Sequence, residues 1–253
     1  MAAKSYRKKY PSKQKSNSIS KWVIRFFVFV FIFFVLLGIY KFRDGFLYYL
    51  GFKTDKYSHE LSADERKLAD IRIYEVLHKH DNKAIGFDVS EYQSAIDWEQ
   101  TYHIDESFEL SFVFIRATAG KNKTDKRFKE NWEASKKRQL IRGAYHYYRP
   151  NENSIEQAEN FIKNVKLEKG DLPPVLDIEK LPRKQSIDSL KVGLRRWLKK
   201  VEKHYKVKPI IYSGESYYTD FLREEFSEYP LWIANYNFWR NDLESDWQFW
   251  QFT

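Results

Sequence analysis

Pro174-Val175-Leu176-Asp177-Ile178-Glu179 is a short apolar run that closes on two carboxylates, two positions apart. Side chains alternate along a strand, so Asp177 and Glu179 share one face while Ile178 points the other way. Six similar runs flank it: Ile85–Val89, Phe112–Ala117 and Arg142–Tyr147 before, Pro209–Tyr212, Leu231–Ala234 and Trp247–Phe252 after. Between them the spacing predicts helices near 125–138, 154–167, 187–205 and 215–226. The clearest, 187–205, sets Leu190, Leu194, Trp197, Leu198, Val201 and Tyr205 in one apolar stripe. Ser154 and Gln157 have the spacing of a capping box. Strands alternating with helices predict an α/β fold with a parallel sheet.

About seven strands fit a barrel of the TIM type better than an open sheet. Such barrels keep their chemistry at the carboxyl ends of the strands. The polar residues there are Asp88 and Ser90, Arg116 and Thr118, His146 and Tyr148, Asp177 and Glu179, Tyr212, Asn235 and Tyr236, and Gln251. Alternation turns Gly86, Asp88 and Ser90 together, so carboxylates from two strands converge on one mouth. Like charges held close push at least one pKa upward, and a carboxyl neutral near pH 7 is a general acid. Glycoside hydrolysis needs such an acid plus a second group at the anomeric centre. The aromatic content of 18% suits sugar rings, whose apolar faces pack on Tyr and Trp. Spacing alone fits solvated or salt-bridged acids equally well.

The wording around the acids adds to this. Ile85-Gly86-Phe87-Asp88-Val89-Ser90-Glu91-Tyr92-Gln93, followed by Ile96-Asp97-Trp98, resembles the opening of glycoside hydrolase family 25, the N-acetylmuramidases or lysozymes of bacteria and phages. The likeness continues in order through Phe114–Gly120, Gly143–Tyr147, Pro174–Glu179, Pro209–Ser213, Pro230–Tyr236 and Trp250–Phe252, covering about 84–253. It implies cleavage of the β-1,4 bond between N-acetylmuramic acid and N-acetylglucosamine in peptidoglycan, on an irregular β/α barrel without a cofactor. By the same likeness Glu179 is the general acid/base. Asp177 orients the substrate's 2-acetamido group, and Asp88 completes the acidic cluster. Neighbouring-group attack and other routes both stay open. Tyr147, Tyr212, Trp232, Tyr236 and Gln251 are the expected groove walls, with core packing the competing role for each aromatic.

Two departures stand out. The family's threonine-glutamate-glycine after the second strand reads Thr118-Ala119-Gly120, one carboxylate fewer. Members usually continue through an eighth strand with a further acid, whereas this chain ends at Thr253. The expectation is therefore a barrel whose last strand is missing, from a truncated or shortened copy. Two rivals follow. One is a non-catalytic tether that holds peptidoglycan; the other is a type II membrane glycosyltransferase using Asp177-Ile178-Glu179 as a metal motif for a nucleotide sugar.

The N-terminal part is different in kind. Trp22–Tyr40 reads WVIRFFVFVFIFFVLLGIY, long enough for a hydrocarbon core, with Arg25 placed to reach headgroups. Seven basic residues precede it, which by the positive-inside rule keeps the N-terminus cytoplasmic and the rest outside. The expected organisation is a basic tail (1–21), a transmembrane anchor (22–40), a stalk with a helix near 62–80 (41–83) and the barrel (84–253). In the stalk, Phe46–Leu50 suits a membrane interface, and the helix reads as a spacer leaning on the domain. Eight of the 44 basic residues and none of the 35 acidic ones lie in 1–40, so the remainder is close to neutral. That gives no support for a nucleic-acid surface. Cysteine is absent, which excludes disulfides, thiolate metal sites and cysteine nucleophiles. The six histidines are scattered, so no metal site is expected; His146, at a strand end, is expected to bond the acidic cluster or a backbone group.

Overall fold

The computed structural model describes residues 18–41, 63–101, 103–104, 107–237, 240 and 242–253. The chain divides into two compact units, Met1–Ala63 and Asp64–Thr253. In the first lies helix α1, Ser18–Lys41. Its side chains are described from 22 to 37, short of the full apolar run, and Trp22, Phe26, Phe29 and Phe33 stand exposed along it. Among the described residues no helix is long and apolar enough to cross a membrane. Most of the basic tail (1–17) and the aromatic segment Phe46–Leu50 lie outside the described residues.

The second unit opens with helix α2, Ala63–Lys79, and then builds one sheet. Its strands are β1 Ile85–Val89, β2 His103–Ile104, β3 Phe108–Ala119, β4 Lys123–Thr124, β5 Ile141–Tyr147, β6 Val175–Asp177, β7 Ile210–Gly214, β8 Leu231–Ala234 and β9 Trp247–Gln251. The order is β1-β3-β5-β6-β7-β8-β9, with every neighbouring pair parallel. Helices α3 (Phe128–Lys137), α4 (Ser154–Asn164) and α5 (Ile187–Tyr205) supply crossovers. Three short helical segments, Glu215–Tyr217, Tyr218–Leu222 and Arg223–Phe226, fill the stretch read as one helix. β3 starts ahead of the apolar run read from Phe112 because its first residues pair antiparallel with β2.

Alternation along the strands makes two cores. Outside, Val113, Ile115, Leu176 and Ile178 meet the α5 stripe, where Leu190, Leu194, Trp197, Leu198 and Val201 are fully buried. Each such side chain contributes about 1.5–3 kcal/mol. Inside, Phe114, Val175, Ile210, Tyr212 and Trp232 pack with Phe112, Tyr145 and Phe249. Phe114 stacks on Trp232 at 4.3 Å between ring centroids. Trp232, expected as a groove wall, is therefore interior packing: it is buried below the mouth. Gly86 and Gly143 make room for this layer. A Cβ at either would lie 2.4 Å from a ring carbon of Phe112 or Phe114.

The capping-box expectation for α4 is corrected by one residue. The cap is Asn153, whose Oδ1 accepts from the backbone N–H of Ile155 (2.9 Å) and Glu156 (3.2 Å). That frees Gln157 for another task, described below.

The sheet is an open, curled half-barrel: among the described residues β1 and β9 are its two ends, not paired to each other. The curl brings them close. Phe249 of β9 packs edge-on against Phe112 (5.4 Å) and Phe114 (5.1 Å) of β3, and Gln251 reaches Asp88 of β1 at 2.6 Å. Helix α2 packs with the sheet, burying Val76 and Leu77 and meeting both Phe108 of β3 and Trp250 of β9. The compact unit thus begins well ahead of the 83/84 boundary read from the sequence.

Candidate active site

At the carboxyl ends of the parallel strands the inner face turns polar. Asp88 comes from β1, Arg116 from β3, Tyr145 and Tyr147 from β5, Asp177 from the end of β6 with Glu179 two residues beyond it, Tyr212 from β7 and Gln251 from β9. Strand register sets them side by side: Tyr147 pairs with Asp177, and Asp177 with Tyr212. Asp177 is buried, while Glu179, two residues on, is exposed at the mouth. The two carboxyl groups stand close enough to repel each other, and like charges so placed favour a proton on the pair. Burial and the charges of Glu179 and Asp88 together hold the Asp177 carboxyl well above its ordinary range. One oxygen, Oδ1 of Asp177, is buried with no hydrogen-bond partner among the described residues.

Asp88 is pushed up to about 6, chiefly by burial and further by the Glu179 charge; a bond from Gln251 pulls the other way. Gln251 is a hub. Its Nε2 donates to Asp88 Oδ2 at 2.6 Å, and its Oε1 accepts from the hydroxyls of Tyr212 (2.6 Å) and Tyr236 (2.7 Å). Tyr212 is otherwise buried against Trp232 at 4.5 Å, so only its hydroxyl reaches the mouth. Tyr236 is exposed. Tyr147 is half-buried beside the Asp177–Glu179 pair, with the Lys180 ammonium 5.4 Å from its ring centroid.

One residue of this face, Tyr145, is missing from the polar strand ends read in the sequence, and Arg116, read there, has no role assigned. Burial and the charges of Asp88 and Asp177 raise the Tyr145 hydroxyl well above its ordinary value, which keeps it a neutral donor. The alternation that grouped Asp177 with Glu179 also groups Tyr145 with Tyr147 and could have found it. Arg116 is buried; its Nε donates to Asp125 Oδ2 at 2.9 Å, its Nη2 lies 3.3 Å from Glu91 Oε1, and its guanidinium stands 4.5 Å from the Tyr92 ring centroid. Glu91 also meets the Lys123 ammonium. Ser90, expected beside Asp88, instead caps the turn Glu91–Gln93, its Oγ and N–H both donating to Gln93 Oε1 at 2.8 Å. No periodicity marks these loop contacts.

The expectation for His146 is corrected. A register shift between Arg116 and Thr118 sets Thr118 opposite His146, both on the outer face. There His146 is fully buried, stacked 5.5 Å from Trp197, away from the acids. Its Nε2 donates to Gln157 Oε1 (3.2 Å) and its Nδ1 accepts from the Thr118 hydroxyl (2.7 Å). Burial pushes the imidazole down to about 3, so it stays neutral.

A curled parallel sheet with an acidic cluster at its mouth matches what the comparisons return. The model of glycosyl hydrolases family 25 matches residues 87–253. The chain belongs to glycosyl hydrolase family 25. It is similar to a solved family 25 glycosyl hydrolase from Bacillus anthracis, at 31% identity and a TM-score of 0.60, over 68% of this chain and 79% of that one. Escherichia coli K12 has a relative described as "Uncharacterized protein YegX", 42% identical over 168 residues, 66% of this chain and 61% of that protein. Lysozyme M1 of Streptomyces globisporus is 32% identical over 183 residues, again 66% of this chain and 61% of that protein. The match thus spans about three-fifths of each of these two proteins. All three matches cover about two-thirds of this chain, in keeping with a family 25 unit that occupies its C-terminal part.

Proposed function

We propose that the chain is a peptidoglycan hydrolase that cleaves the β-1,4 bond between N-acetylmuramic acid and N-acetylglucosamine. The observation that carries this reading is the cluster of Asp177, Glu179 and Asp88 at the mouth of the half-barrel, where burial and mutual charge raise the Asp177 and Asp88 carboxyls. Family membership and the likeness to a protein named lysozyme support it. Glu179 is the exposed member of the pair, so it gives a proton to the leaving oxygen as the glycosidic bond breaks and takes one back from the water whose hydroxyl ends on the anomeric carbon. Unpartnered Asp177 Oδ1 is an acceptor waiting for a donor, and the N–H of a 2-acetamido group is one. Asp88, fixed by Gln251, sets the charge around the pair and lines the sugar's other side. Half-buried Tyr147 and exposed Tyr236 are the aromatics for the groove.

The same proposal makes Trp22–Tyr40 a single-pass membrane anchor, with the N-terminus inside and the hydrolase unit on the extracytoplasmic side. Its support is the length and apolarity of the run, the seven basic residues ahead of it and the row of exposed apolar side chains on α1. Protease added to intact spheroplasts is expected to cleave the hydrolase unit and spare the tail. Full protection would reverse the orientation.

The test of the activity is incubation of the full chain, in detergent micelles, with purified peptidoglycan. New reducing ends at N-acetylmuramic acid are expected, falling roughly 10²- to 10⁴-fold in Glu179→Gln, as for loss of a general acid. Glycan affinity should survive that substitution. Glycan binding without any release, unchanged by Glu179→Gln, would identify the chain as a tether instead.

A further inference from the structure

Helix α2 does more than lead into the barrel. The buried guanidinium of Arg72 donates from Nη2 to the carbonyl of Asn237 at 3.0 Å and from Nη1 to the carbonyl of Phe252. It also lies 6.0 Å from the Trp250 ring centroid. Asn237 follows Tyr236 and Phe252 follows Gln251, and these two mouth residues are themselves joined by the Tyr236–Gln251 bond of 2.7 Å. Trp250 adds a bond from Nε1 to the Asn235 carbonyl at 3.0 Å, and Lys79, from the last turn of α2, pairs with Asp242 at 2.9 Å. On its other side α2 rests on Phe108, with Tyr74 and His78 against that ring. So one helix touches both β3, the neighbour of edge strand β1, and β9, the other edge of the open sheet.

A planar, forked cation that reaches two carbonyls at once is what arginine offers and lysine does not. Burying it is costly, and burial draws its pKa down. A mere spacer has no use for that cost.

We propose that Arg72 is a positioning residue of the active site: by tying the backbone after Tyr236 to the backbone after Gln251, it fixes the Gln251 amide and through it the orientation of Asp88. The inference deepens the muramidase reading and rests on it for its kinetic readouts. Groups that face Asp88 are Gln251 from β9, Tyr145 from β5, Asp177 from the end of β6 and Glu179 just past it. Of these, Gln251 alone answers to α2.

The experiment uses the full chain in detergent micelles as wild type, Arg72→Ala and Arg72→Lys. It reads reducing-end release on peptidoglycan across about pH 4 to 8 and amide hydrogen exchange over 231–237 and 247–252. In Arg72→Ala, kcat is expected to fall roughly 10- to 100-fold, the scale of a small misplacement, with KM little changed. Loss of a fixed N–H on Asp88 moves the acid limb of the profile to higher pH, because that bond favours the carboxylate. Exchange should rise in the two segments while α5 keeps its protection, and Arg72→Lys should recover only part of each effect. Wild-type rate, limb and exchange in Arg72→Ala would overturn the proposal. So would a slower enzyme with an unmoved limb and exchange raised everywhere, the mark of general destabilisation. Should Arg72→Ala not fold, Arg72→Lys decides by the same readings. Should the wild type release no reducing ends, the muramidase reading fails by itself, and unchanged local exchange in Arg72→Ala would still overturn the positioning role.

Discussion

The two faces of β5 carry opposite kinds of polar chemistry. On the outer face His146 is fully buried, yet both ring nitrogens have partners, and the Gln157 amide that serves it also bonds the backbone of Arg149 and Glu152. On the inner face Asp177 of the neighbouring strand β6, paired with Tyr147 one position on from His146, keeps an oxygen without a partner beside the Glu179 charge. The histidine is fully partnered and the acid is not, although among the described residues Asn131 and the Trp197 Nε1–H are unpartnered on the outer side too. An open acceptor therefore marks the mouth only together with the clustered carboxylates around it.

Four substitutions sharpen or break that contrast. On the outer face, Trp197→Ala removes the ring against His146 and should cost about 3–5 kcal/mol of stability by denaturant unfolding, with activity per folded molecule unchanged. On the inner face, Asp88→Asn should do the reverse. A raised carboxyl favours the folded state below its ordinary pKa of 3.8, and this is lost as pH rises through about 6. Removing the titration should therefore add about 2–3 kcal/mol at pH 7 and nothing near pH 3, while peptidoglycan cleavage drops. A variant less stable at pH 7 than wild type would erase the contrast.

Gln157→Leu tests the satisfied side again. It strands the His146 Nε2–H and the Arg149 N–H, at about 1–3 kcal/mol, read as a lower melting temperature with kcat unmoved. Smallest is Tyr147→Phe, where loss of one mouth hydroxyl should change KM by about 2- to 10-fold and leave stability alone. A fall in stability with KM unmoved would make Tyr147 a core residue.

Much of this was legible in the sequence because it is periodic. β1, β8 and α5 lie where alternation and the apolar stripe put them, and period two turns Asp88, Asp177 and Glu179 to a common face. The failures came where period two was not applied or not kept. Tyr145 obeys it and was passed over. His146 was turned toward the acids although its neighbours Tyr145 and Tyr147 occupy that face, and Trp232 lies one layer below the mouth, a depth that spacing does not report. The cap of α4 is Asn153, one residue ahead of Ser154, which leaves Gln157 to bond His146. Loop contacts such as Arg116–Asp125, and the reach of Arg72 to residues far along the chain, leave no local pattern at all.

The most direct test is infrared spectroscopy of the full chain at pH 7, following the C=O stretch of protonated carboxyl groups. The pair at β6 predicts a protonated carboxyl that persists at that pH and disappears in Asp177→Asn. A spectrum in which every carboxyl is ionised at pH 7, with Asp177→Asn indistinguishable from wild type, would contradict it.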